Sequence, residues 1–423
     1  ESCGKDSFTA DNPFFLNMMK ILQLSKKFPF PLKDGESIAI TNLARAFDEL
    51  GNEVTLLAMN TSKHWFDPAQ IPETFNHYIA IHTVDIDNRL KPGAALRNLF
   101  SERSYHIERF DNQLFEQKLI ELLRQEHFDV IQLETLYLAP YLPVIRKYSE
   151  ALVALRAHNV EHEIWERVAV NSHPIKRWYL NAITPRLKKY ETERLNQYDL
   201  LIGITERDVE YFRRLGLTKP AAVTPIGIDS RDYTPDYRCF RKPLSLAFIG
   251  SLDWMPNVEG LKWFLDEVWK PLLSPAFPGL TFHIAGRNTP GWLKRLRLPG
   301  VKVHGEVPDA AAFINQHPVM VAPLLSGGGM RAKILEAMAL GRVVLSTPMG
   351  LEGIHARHRE EALFAETPED FVGAIRWCNE QGPVLRDLGE RARAFCFEHF
   401  DNIEVARRLL DAYQNLQPKN VDL

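Results

Sequence analysis

Three consecutive glycines, Gly327, Gly328 and Gly329, separate an apolar run at Val319–Leu325 from a helical pattern carrying Arg331, Lys333 and Glu336. Gly341 ends that pattern, and a second apolar run starts at Val343. Glycine lets backbone N–H groups come close to a ligand, and a helix N-terminus attracts anions. Arg331 and Lys333 add positive charge there, and Glu336, one turn on, can accept hydrogen bonds from hydroxyls. This order suits a diphosphate joined to a sugar. A packing turn with solvent-facing cations is the plain alternative, but cations in a first helical turn oppose the macrodipole, so stability alone does not call for them. The spacing is not G-x-x-x-x-G-K-[ST], and no G-x-G-x-x-G follows an apolar run. Both absences argue against P-loop and nicotinamide enzymes.

Other apolar runs end in residues of related character. The run at 19–25 leads to Gly35 and Ser37, a loop that can approach a phosphate or simply cap a helix. Glu134 ends the run at 129–134, placed to bind substrate hydroxyls or to cap the next helix. His158 ends the run at 151–158 and is expected to point into a cleft. His158-Asn159-Val160-Glu161-His162 also spells H-x-x-E-H, an inverted zinc-protease pattern. That chemistry needs both histidines on one helix face, and a histidine terminating an apolar strand does not offer it. Gly250 and Ser251 close the run at 244–250, and Gly286 closes the run at 280–286. Gly305-Glu306-Val307 closes the run at 301–307, where main-chain groups can read a base edge. The stretch His173–Tyr198 mixes Lys176, Arg177, Lys188 and Lys189 with Trp178 and Tyr179. It reads either as a solvated helix face or as a peripheral membrane contact.

The elements that must carry these residues alternate. Further apolar runs lie at 53–59, 200–205, 221–227 and 343–348, and helical patterns at 36–50, 110–125, 186–198, 258–273 and 402–415. Short apolar runs between helices predict parallel strands buried on both faces, hence an α/β, doubly wound architecture. A chain of 423 residues is too long for one ordinary core. A polar, proline-bearing stretch at 229–243 divides two strand sets, so two domains are expected, 19–235 and 236–400. Residues 401–423 form a terminal helical segment, and residues 1–18 read as a tag or N-terminal extension. Strand carboxyl ends of both domains would then face one cleft.

Hydrophobic residues make up 45% of the chain and charged residues 25%, with a net charge of −3. This is a globular composition without the basic field that nucleic acid requires. Cys3, Cys239, Cys378 and Cys396 are scattered and read as free thiols of a reducing compartment. No apolar run reaches the ~18 residues of a membrane span, and residues 1–17 lack a signal-peptide core. A cytoplasmic protein is expected, with the inner membrane face as one place of work.

The run GGGMRAKILEAMALGRVVLSTPMGLEGI resembles the donor-site signature of retaining GT-B glycosyltransferases of family 4. FIGSLDWMPN, HIAGRN, GEVPD, PIGID and RAHN are similar to that family's other marks, in order, over nearly the whole chain from Met19. The resemblance implies two Rossmann-like domains facing a cleft, with a terminal helix, at about 402–414, crossing back to the first. It implies a hexosyltransferase using a nucleotide-diphosphate sugar as co-substrate, with no separate cofactor and no metal. The acceptor would be a glycan or a lipid-linked hydroxyl, in polysaccharide assembly. His158, Arg331 and Lys333 would be catalytic. Gly35, Gly250, Ser251, Gly286, Val307 and Gly327–Gly329 would line the donor site with Arg331, Lys333 and Glu336. Glu134, His158 and Asn159 would face the acceptor. The family's first E-x7-E glutamate falls at Gly328, and its basic pair after the GS strand end is replaced by Leu252-Asp253-Trp254. A sugar-nucleotide epimerase and a non-catalytic nucleotide-binding protein are the rival readings.

Overall fold

The computed structural model describes residues 18–417, except 33, 90–92, 94–96, 171 and 383. The expected N-terminal extension, apart from Met18, and Cys3 lie outside the described residues. Two parallel sheets organise the rest. The first contains β1 (Lys20–Ser25), β2 (Glu53–Thr61), β3 (Ala80–Ile86), β4 (Val130–Leu133), β5 (Leu152–Ala157), β6 (Leu200–Gly203) and β7 (Ala221–Val223). Their order is β3-β2-β1-β4-β5-β6-β7. The second contains β8 (Ser245–Ile249), β9 (Thr281–Ala285), β10 (Val301–Gly305), β11 (Val319–Ala322), β12 (Val343–Ser346) and β13 (Leu363–Phe364), ordered β10-β9-β8-β11-β12-β13.

Every apolar run named above forms a strand; in the sheet interiors continuous burial on both faces selects continuous apolar sequence, while the edge strands β7 and β10 are only partly buried. β4, β5, β6, β11 and β12 are buried at every position. Two strands carry no such signal. β3 is a half-exposed edge strand, and β13 has two residues. The helix expected at 186–198 is the second half of a longer one, Pro174–Arg194, which Pro185 does not stop. The pattern at 258–273 begins earlier, at Met255, and continues from Phe264 with π-type turns.

Chain order reverses between β1 and β4 and again between β8 and β11, which opens a crevice at the carboxyl ends of each sheet. Those ends meet. The helix α1 (Gly35–Glu49) starts against α5 (Ala332–Ala339), where a Cβ added at Gly35 would lie 3.5 Å from Ala332 Cβ. The last helix, α6 (Asn402–Leu416), leaves the second sheet through a bridge between Ile228 and Asp401. It then packs Leu409, Leu410 and Tyr413 into one core with Leu43 and Phe47 of α1. Three further helices touch the cleft or its rim: α2 (Glu161–Val170), α3 (Pro174–Arg194) and α4 (Met255–Trp263).

Candidate active site

The glycine loop hangs between β11 and α5. Thr347 Oγ1 donates to the Leu324 carbonyl and Ser326 Oγ donates to Glu259 Oε2 at 2.6 Å, fixing both flanks. Gly327 and Gly329 have φ of 104° and 76°, a region that side chains disfavour. Arg331 occupies the N-cap of α5, and no side chain caps that helix. Its first N–H groups therefore remain available to a ligand.

Both cations of the loop lack a carboxylate partner among the described residues. Lys333 Nζ donates to Asn257 Oδ1 at 2.6 Å and sits 4.6 Å from the centroid of the Phe248 ring. Burial, with the neighbouring Arg331 charge, lowers its pKa to about 7. Arg331 donates through Nη1 to the Gly328 carbonyl, while its Nε and Nη2 are buried without a partner. Burial is again the main cause of its lowered pKa, about 10, and Arg167 adds to it. A folded protein does not keep two desolvated cations side by side for stability. Together they offer positive charge that an anion can compensate. The N-termini of α1 and α5, which meet at Gly35 and Ala332, add positive potential from both sides of the cleft.

A Cβ at Gly250 would stand 3.4 Å from Lys333 Nζ, so the end of β8 borders the same cation. Asn257 holds the Ser251 carbonyl at 2.9 Å, and Ser251 Oγ is engaged by Asp253 at 2.6 Å. Glu336 accepts from Tyr233 Oη at 3.2 Å, and burial raises its pKa. Val307 is half-buried against the core beside β8 and β11. Gly286 has a packing reason of its own. An added Cβ would meet the Gly250 carbonyl at 1.9 Å and Leu252 at 2.9 Å, so strand packing by itself already requires a glycine here.

The first half contributes the opposite wall. His158 ends β5, and its side chain is 9% exposed. Its Nε2 lies 2.9 Å from Glu134 Oε2. Glu134, the candidate acceptor contact or helix cap, is turned to neighbouring side chains of its own sheet. It is completely buried, and its Oε1 accepts from Gln23 at 2.6 Å and from Gln132. Gln23 is held by Tyr78 at 2.9 Å, and Gln132 by Tyr413 of α6. Burial alone would raise the Glu134 pKa, but Arg156, 3.5 Å away, and His158 outweigh it and hold the carboxyl below its usual range. An ionised Glu134 fixes His158 as the Nε2–H tautomer and leaves Nδ1 as the atom offered elsewhere. Asn159 turns its carboxamide to the glycine loop, with Oδ1 3.1 Å from a Cβ position on Gly329.

Some cleft residues were not legible from spacing. Lys26 and Lys27, past the end of β1, pair with Glu36 at 3.4 and 3.6 Å. Burial would raise the Glu36 pKa, but these lysines and His158 drive it down to about 2. Tyr233, Asn257 and Arg167 reach the site from segments distant in sequence, so no local pattern could flag them. The two histidines of H-x-x-E-H engage different carboxylates: His158 meets Glu134, and His162 meets Glu191. Glu191 also caps the start of α2 by accepting from the Glu161 and His162 N–H groups.

Comparison with known proteins places this geometry. Residues 34–232 match the family model described as Glycosyltransferase Family 4, and residues 243–381 match the model described as Glycosyl transferases group 1. A protein described as an uncharacterized 44.6 kDa protein in the cps region of Klebsiella pneumoniae is 21% identical over 92% of this chain and 98% of its own. Sucrose-phosphate synthase from Thermosynechococcus elongatus superposes with a TM-score of 0.70 at 17% identity, over 94% of this chain and 99% of that one. Anabaena Alr3699/HepE in complex with UDP-glucose gives 0.64 at 13% identity, over 94% and 100%. At these identities the two solved structures establish the shared fold alone. The two family models divide the chain between its two sheets, and the chain belongs to glycosyltransferase family 4, with the GT-B fold.

Proposed function

We propose that this glycosyltransferase moves a hexose from a nucleotide-diphosphate sugar to a hydroxyl of a glycan or lipid-linked acceptor, with retention and without a metal. The observation that carries the reading is the pair of partly buried, carboxylate-free cations, Arg331 and Lys333, on the glycine loop. The bond from the anomeric carbon to the β-phosphate oxygen breaks and leaves its electron pair on the diphosphate. The acceptor oxygen bonds to the same carbon on the same face, and its proton passes to the departing phosphate oxygen. Arg331, Lys333 and the loop amides stabilise the developing charge, a task that elsewhere falls to a divalent cation. His158 faces the sugar through Nδ1. Glu336 takes the ribose hydroxyls. The relative encoded in a cps region favours polysaccharide assembly as the setting, and the HepE complex favours UDP as the carrier.

A thermal-shift series with UDP, GDP, ADP and their sugar conjugates, with and without EDTA, tests the reading. One nucleotide diphosphate should raise the melting temperature whether or not chelator is present. A shift that EDTA removes refutes the metal-free site, and no shift from any of them refutes the donor site. Glu336→Ala should weaken the active nucleotide about tenfold, the scale of one lost hydrogen bond to a charged group. An unchanged dissociation constant removes Glu336 from the ribose. Acceptor-independent conversion of the donor to free nucleotide and sugar epimer would point to the epimerase instead.

No helix among the described residues is long and apolar enough to cross a membrane. Val170, Ile175 and Trp178, at the junction of α2 and α3, are nonetheless 66%, 75% and 65% exposed, and Lys176 lies among them. Apolar side chains with a neighbouring lysine suit the surface of an anionic bilayer, so peripheral contact belongs to the same proposal. Co-sedimentation with phosphatidylglycerol vesicles, lost in Trp178→Ser, is the expected result. Equal binding by both proteins would discard this face.

A further inference from the structure

Gly328 is a glycine that its backbone does not demand. Its neighbours Gly327 and Gly329 have positive φ, and it does not. The reason lies across the cleft. A Cβ at position 328 would come within 2.8 Å of Nη1 of Arg167, on α2 of the first half. Arg167 Nη2 donates to Glu163 Oε2 at 3.0 Å, but Nη1 is buried and has no partner. Glu163 is shared, because Arg207 holds both of its oxygens at 2.7 and 2.9 Å. Ile164, Val168, Trp254 and Pro256 line the crevice beside Arg167, whose side chain keeps 34% of its surface exposed while Nη1 itself is buried. Arg331, with Nε and Nη2 also unpartnered, approaches the loop from the other side, 3.0 Å from a Cβ position on Gly327.

Two guanidinium groups with free N–H bonds thus converge on one glycine loop from opposite halves of the molecule. We propose that Arg167 is a further catalytic cation, supplied across the cleft by the first half, that binds the diphosphate as its charge grows, and that Gly328 is the clearance that admits it. This rests on the donor-site reading of the loop. When the anomeric bond breaks, the electron pair adds one negative charge to the leaving diphosphate. A cation placed there binds the product more strongly than the intact donor, which is the differential binding that accelerates the bond cleavage. The missing side chain at position 328 is then a replacement of one contact by another, and the first half becomes part of the donor site.

The test titrates wild type, Arg167→Met, Gly328→Ala and the double variant with UDP, GDP and ADP and their glucose conjugates. Turnover is followed as nucleotide released with water as acceptor, so no acceptor need be known. Arg167→Met should lower turnover about 30-fold, less than a full oxyanion donor because Glu163 already shares the charge. It should weaken the free nucleotide diphosphate about tenfold and its sugar conjugate about threefold at most, since only the former carries the extra charge. Gly328→Ala should reproduce these changes at an unchanged melting temperature, because its methyl displaces only the tip of a flexible side chain. The double variant should be no worse than Arg167→Met alone. Unchanged turnover, equal weakening of both ligands, or additive effects in the double variant would overturn the role of Arg167. Wild type that binds none of the nucleotides would overturn the donor site itself, and the proposal with it.

Discussion

Lys333→Met is expected to lower turnover by about 1,000-fold, the upper range for one group that stabilises developing charge. The melting temperature of the empty protein should stay level or rise. The two outcomes share one cause. Lys333 is withdrawn from water beside Phe248 and Asn257, next to Arg331, and its pKa falls to about 7 from the ordinary lysine value of 10.5. A lysine with a lowered folded pKa burdens the fold while it is charged. The burden is largest below about pH 7 and disappears as pH rises through 10.5. Removing the ammonium lifts that burden from the empty protein and leaves the leaving group without its cation. The same linkage sets a pH dependence for the donor. A sugar-linked diphosphate binds the charged form, so binding should take up a proton and weaken by about tenfold per pH unit above 7. Isothermal titration of the sugar nucleotide in two buffers of different ionisation enthalpy measures the proton. No uptake at pH 8 would show that Lys333 is not the ligand, and a variant melting well below wild type would make it a structural residue.

What could be read from sequence follows from how each contact is made. Strands covered on both faces leave continuous apolar runs, so β1, β2, β4 to β6, β8, β9, β11 and β12 were legible; the partly exposed edge strands β7 and β10 kept enough apolar sequence to be read as well, whereas the edge strand β3 did not. The glycine loop was legible because positive-φ turns and helix starts are local demands on local residues. Arg331 and Lys333 could therefore be assigned to one site before any fold was known. Glu134 could not be placed for the opposite reason. A carboxylate at a strand end looks the same whether it faces the cleft or the neighbouring strands, and here Gln23, Gln132 and His158 decide it. Arg167 and Gly328 make the same point. The glycine looked like the loss of a family carboxylate, and only the tertiary contact shows what fills the space.

Glu134 also yields the largest coupled effect on stability and turnover. The carboxylate accepts from Gln23 and Gln132, meets His158 and lies beside Arg156, all in a region sealed from water. Glu134→Ala should cost about 3–5 kcal/mol, because Arg156 would be left buried without its counter-charge. Glu134→Gln separates the two roles. Its amide oxygen can still accept from Gln23 and Gln132, so the cost in stability should be smaller. Its amide nitrogen would face His158 Nε2, however, where two donors cannot share a bond. The imidazole must then move its proton to Nδ1, the atom offered to the cleft, and turnover should fall about 100-fold even though the histidine remains. The carboxylate with its lowered pKa stabilises the fold above the ordinary glutamate value of 4.5, and that contribution is lost as pH falls below it. Nitrogen-15 shifts of the His158 ring report the tautomer directly. Wild type should show Nε2–H and Glu134→Gln should show Nδ1–H. Identical spectra with reduced turnover would place the effect in packing, and a Glu134→Gln enzyme as fast as wild type would remove Glu134 from the positioning of His158.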